Sequence, residues 1–117
     1  MTGKNMNIQI FGRKKSKDTK KAERFFSDRR IQFHSVNLDE KEMSKGEFEK
    51  IKNAVGGAKE MIDKESQLFK KKFQYLEYNA DEELLEDQSL LKLPIVRNGG
   101  KATVGYELDI WKEWITE

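Results

Sequence analysis

The chain has 117 residues, 36% of them hydrophobic and 38% charged, with a net charge of only +2. The absence of cysteine excludes a disulfide framework and thiolate metal sites, and a single histidine, His34, argues against a histidine-based metal centre. No apolar run approaches the ~20 residues of a membrane span, and the opening "MTGKNMNIQIFG" lacks a signal-peptide core. The expectation is therefore one soluble cytoplasmic domain, monomeric and away from membranes.

Charge is unevenly distributed. Residues 11–30 hold nine Lys/Arg against three acids, a local balance of +6, whereas residues 77–88 carry six acids and no base. The basic stretch suits an anion, a nucleotide or an acidic partner, or is simply a solvated helix face.

In chain order, "MNIQIF" (6–11) alternates apolar and polar residues, the period-2 signal of a strand, and Gly12 is expected to break it. From Ser16 the positions Thr19, Ala22, Phe25 and Phe26 fall on one helical face that ends near Arg29. The Ser16 hydroxyl suits an N-cap. "IQFHSVNL" (31–38) reads as a second strand with Ile31 and Phe33 on one face and His34 an ordinary strand residue. The order strand–helix–strand then suits a parallel β-α-β unit.

"SKGE" (44–47) is a capping box for a helix burying Phe48, Ile51 and Val55 and stopping at Gly56-Gly57. Residues 58–78 are less regular: "AKEMIDKES" allows a short helix with Met61 and Ile62 inward, and "FKKKFQYLEY" is ambiguous. Asn79 with Glu82 starts another helix, burying Leu84 and Leu85. "LPIVRNGGKATVG" (93–105) signals a hairpin around Asn98-Gly99-Gly100. The last helix presents Ile110, Trp111, Trp114 and Ile115 as its apolar face. The order β-α-β, helical insertion (about 43–91), β-β-α predicts a thioredoxin-like α/β fold: a four-stranded mixed sheet flanked by helices.

Four features give the chain a resemblance to the arsenate reductase (ArsC)/Spx-like family. They are strand-turn-helix over 6–28 with "SKDT" (16–19), "KKAERFF" after it, the sole proline Pro94 in "LLKLPIV", and "TVGYELD" (103–109). The resemblance implies that Ser16 stands at the reactive cysteine (or selenocysteine) position and Thr19 at the resolving-cysteine position. It also implies that Pro94 is cis and faces the reactive loop. Substrate-binding candidates are Gly12, Arg13, Lys14, Lys15, Lys17, Pro94, Arg97 and Tyr106. Where arsenate reductases use arginines for the oxyanion, this chain carries Asp63, Leu93 and Tyr106, and Asp63 would repel arsenate.

The implied function is that of a glutaredoxin-like thiol or selenol oxidoreductase lacking its reactive atom. A serine hydroxyl has no comparable acidity, and no evident base is aimed at it. The implied substrate is a small oxyanion or thiol. Glutathione or a thioredoxin-type protein would be the reductant, and no cofactor or metal is involved. The alternatives are an Spx-like regulator that binds RNA polymerase, not nucleic acid directly, and a redox-dead member that still binds anions.

Overall fold

Alternation and helical periodicity place the apolar residues of this chain on two faces of one sheet. The computed structural model describes residues 6–73 and 76–116. Four strands, β1 (Ile8–Gly12), β2 (Phe33–Asn37), β3 (Ile95–Asn98) and β4 (Lys101–Val104), lie in the order β2-β1-β3-β4. β1 pairs with β2 in parallel and with β3 antiparallel, and β3 with β4 antiparallel. This is the predicted mixed sheet.

One face carries Ile8, Ile10 and Val96, covered by α1 (Lys17–Asp28) and α5 (Leu108–Thr116). Ala22, Phe25 and Phe26 of α1 meet Trp111 and Trp114 of α5 there, all buried, with Ile31 and Phe33 packed at the margin. Each buried aromatic contributes about 1.5–3 kcal/mol of transfer free energy. Thr103 accepts the Trp111 indole N–H at 2.9 Å, so the ring is buried without orphaning its donor. The opposite face, with Phe11 and Ile95, is covered by the insertion: α2 (Lys45–Val55), α3 (Gln67–Phe73), α4 (Ala80–Glu86) and two 3-10 turns at Ala58–Met61 and Gln88–Leu90.

The local signals act as their chemistry requires. Ser44 and Glu47 form both bonds of the capping box, and Gly56 closes α2 in the left-handed region at φ 94°. Gly99, at φ 59°, opens the two-residue hairpin loop that a primed turn demands.

Five expectations need correction. Gly12 does not break β1 but ends it, paired with Asn37. The second strand is shorter than 31–38 because Arg30, at φ 58°, turns the chain and residues 31–32 only lead in. Val55 is half-buried, because it packs at the rim of the insertion core. Leu85 is 46% exposed, since a seven-residue helix buries one narrow stripe, here Ala80 and Leu84. Ile110 is 37% exposed because α5 turns Trp111 and Trp114, not Ile110, to the sheet. The ambiguous "FKKKFQYLEY" contributes the end of α3, and its Gln74 and Tyr75 lie outside the described residues.

Candidate functional site

The C-terminal end of β1 delivers the chain into a short loop and then into α1. The turn is tight: Ser16 N–H donates to the Arg13 carbonyl at 3.0 Å. Ser16 is extended (φ −80°, ψ 113°), and its Oγ accepts the Thr19 backbone N–H at 3.1 Å, the N-cap predicted from sequence. The group at position 16 therefore sits at the positive end of a twelve-residue helix.

Ser16, Lys17 and Asp18 form one wall of a cleft of about 430 Å³, and Asp63, Leu91 and Leu93 form the other. The second wall is assembled from separate segments. Ile62 bridges Leu91, Asp63 N–H donates to the Leu90 carbonyl at 2.9 Å, and Lys92 N–H donates to the Met61 carbonyl at 2.8 Å. The Asp63 carboxylate accepts the Glu65 N–H at 3.1 Å, and Asp18 lies 3.7 Å from Lys21. The lining is thus a mixture of two carboxylates, one ammonium and two leucines, not a cationic oxyanion cradle. Among the described residues no side chain hydrogen-bonds to Ser16 Oγ, so no base draws off its proton.

Gly12, Arg13, Lys14 and Thr19 line a second cavity, of about 260 Å³, on the β2 side of α1. The close approach there explains Gly12: a Cβ at that position would stand 2.2 Å from Thr19 Cγ2 and 2.4 Å from its Oγ1. Thr19 is buried, and its hydroxyl has no hydrogen-bond partner among the described residues. Arg13 is not a free cation, because it pairs with Asp39 at 2.9 Å. That guanidinium, helped by the Lys14 N–H, holds the Asp39 carboxyl below its usual range.

The remaining candidates are spread out. Lys14, Lys15 and Lys17 are solvent-exposed. Pro94 is fully buried, the bond before it is cis, and Leu93 rather than the proline is among the residues lining the cleft. Arg97 does not reach Ser16: its β3 position pairs with Gln9, and its guanidinium donates to Gln9 Oε1 at 3.2 Å. Tyr106 packs edge-on against Trp111 at 5.4 Å with the Lys21 ammonium 5.5 Å from its ring, and is not among the cleft-lining residues. Asp18 and Leu91 join the cleft without having been singled out. Asp18 has a sequence signal as an acid in the first turn of a capped helix, whereas Leu91 has none.

Comparison with curated proteins found no match. A YFFB protein superposes with TM-score 0.81 at 18% identity, covering 93% of this chain and 99% of its own. A putative arsenate reductase from Yersinia pestis gives 0.78 at 17%, covering 92% and 99%. A glutaredoxin from Archaeoglobus fulgidus gives 0.50 at 14%, covering 97% and 90%, in keeping with the thioredoxin-like sheet order. The model of the ArsC family matches residues 11–114, from the end of β1 to the last turns of α5. The chain belongs to the ArsC family.

Proposed function

We propose that this chain is a thiol (or selenol) oxidoreductase frame of the ArsC type in which Ser16 occupies the reactive atom's place, so that the chain as written is redox-inactive. One observation carries the reading. Ser16 Oγ caps α1 at the mouth of the cleft, accepting the Thr19 amide where a thiolate would gain the same bond. A sulfur there would be favoured as the anion by the helix end and the adjoining lysines, whereas a hydroxyl, far less acidic and with no base beside it, stays neutral. Ser16 thus keeps the binding half of the chemistry without the nucleophile.

The lining supports a thiol or disulfide over an oxyanion as substrate. Asp63 and Asp18 repel arsenate, and Leu91 and Leu93 offer it no donor. In the restored reaction the thiolate at position 16 attacks one sulfur of a substrate disulfide and breaks its S–S bond. The other half is expelled as a thiolate that takes up a proton, leaving a mixed disulfide. A small thiol such as glutathione or a thioredoxin-type partner then attacks that mixed disulfide, forms a new disulfide with the bound half and frees the sulfur at position 16. The test is Ser16→Cys with glutathione disulfide and, separately, arsenate. The variant forms the mixed disulfide and does not turn over arsenate, and the parent chain does neither. Absence of any reaction of Ser16→Cys with glutathione disulfide overturns the reading.

A further inference from the structure

The Ser16 cleft does not end at Asp63. That residue is also a wall of a neighbouring hollow of about 230 Å³, which shares Glu60 and Lys92 with a third, of about 400 Å³, lying along β4. Linked through these shared lining residues, the three hollows mark a path from the Ser16 position to the outer edge of the sheet. Its far section runs between Val55 of α2 and Ile110 of α5, with Ala102 and Val104 of β4 beneath.

β4 is an edge strand. Its register with β3 pairs Asn98 with Lys101 and Val96 with Thr103, and Gly105 N–H donates to the Pro94 carbonyl at 2.8 Å. Antiparallel pairing alternates, so Lys101, Thr103 and Gly105 turn their backbone groups to β3. Ala102 and Val104 therefore turn theirs outward, into the groove, and no hydrogen bond to either is present among the described residues. A row of outward N–H and C=O groups at the floor of a groove is complementary to one kind of occupant, an extended backbone. The half-buried Val55 and exposed Ile110 give its side chains apolar flanks.

We propose that the edge of β4 and the groove leading from it dock an extended segment of a partner protein, added as a fifth strand, with its sulfur-bearing residue carried past Lys92 and Asp63 to position 16. This rests on reading Ser16 as the reactive position. It assigns the frame a polypeptide substrate class in place of a free small molecule.

The test uses Ser16→Cys as reporter and pyridyl-disulfide peptides as probes. The new thiolate attacks the peptide sulfur, the probe's S–S bond breaks as the mixed disulfide forms, and the pyridinethiolate leaves and takes up a proton. One probe has no extension beyond its cysteine, and others carry about four or about eight β-prone residues on either side, at roughly 3.3 Å per residue. Extension on one side raises the second-order rate about tenfold, the size of one or two net backbone hydrogen bonds. Ala102→Pro, which removes an outward N–H and leaves the β3–β4 ladder intact, abolishes that gain while the unextended probe reacts as before. N-methylating alternate probe residues does the same with the protein unaltered. If Ser16→Cys reacts with no probe, the reactive-position reading fails and this inference with it. If all probes react equally, or Ala102→Pro leaves the gain intact, the docking inference alone is overturned. A dimer in light scattering that Ala102→Pro dissociates would assign the edge to a second copy and overturn it as well.

Discussion

Gly12→Ala is a demanding test of how the loop between β1 and α1 is built, because it adds one methyl group. Gly12 has no positive φ to protect, so only space is at stake. The added Cβ would stand 2.2 Å from Thr19 Cγ2, where carbon atoms prefer about 3.5–4.0 Å. Neither side yields easily. Gly12 pairs with Asn37, its carbonyl accepts Leu38 N–H at 2.8 Å, and Thr19 belongs to the first turn bonded to Ser16. Overpacking costs about 1–3 kcal/mol and a disturbed N-cap about 1 more, so the loss is about 2–4 kcal/mol. For a chain of this length that is a fall of about 8–16 °C in Tm. Urea unfolding followed by fluorescence of the buried Trp111 and Trp114 measures it, with an unchanged slope. In a Thr19→Ala background, which removes the two nearest clashing atoms, the same change costs at least about 1 kcal/mol less. A Gly12→Ala variant within about 0.5 kcal/mol of the parent would refute the reasoning.

Three further predictions follow from single contacts. Thr19→Val keeps the shape and removes a buried hydroxyl with no partner among the described residues; it is neutral or stabilising by up to about 1 kcal/mol in the same urea assay, and a clear loss would show that the hydroxyl has a partner. Gln88→Met orphans the backbone N–H and C=O of Met43, now held at 2.8 and 2.9 Å, and costs about 2–4 kcal/mol; a loss under about 1 kcal/mol contradicts the buried pairing. Asp39, whose carboxyl Arg13 holds below its usual range, strengthens folding above that range, and the contribution is lost as pH falls through the lowered value. The stability gap between parent and Asp39→Asn is therefore constant near neutrality and closes on acidification below about pH 4; a gap that persists in acid contradicts it.

What was legible in the sequence was local. The caps at Ser16, Ser44 and Asn79 each depend on a side chain and an amide three residues on, and the hairpin depends on two adjacent glycines. The sheet order followed because the apolar periods change from 2 to 3.6 and back in an order few topologies accommodate. The far wall of the cleft was not legible. Asp63, Leu91 and Leu93 meet Ser16 through one isolated bridge between Ile62 and Leu91, which no periodicity announces. Arg97 was a substrate-binding candidate, but the strand turns the three residues that separate it from Pro94 into a displacement of about 10 Å along β3. Gln88 passed unnoticed because its role, bridging both backbone groups of Met43, spans 45 positions.

The most direct measurement is the thiol pKa of Ser16→Cys, followed by thiolate absorbance across a pH titration. If position 16 is the reactive position, the helix end, the Thr19 amide and the neighbouring lysines pull the thiol to about 7.5 or below. A value at or above the unperturbed ~8.5 would mean that the site does not stabilise an anion at all, and Ser16 would be a helix cap and nothing more.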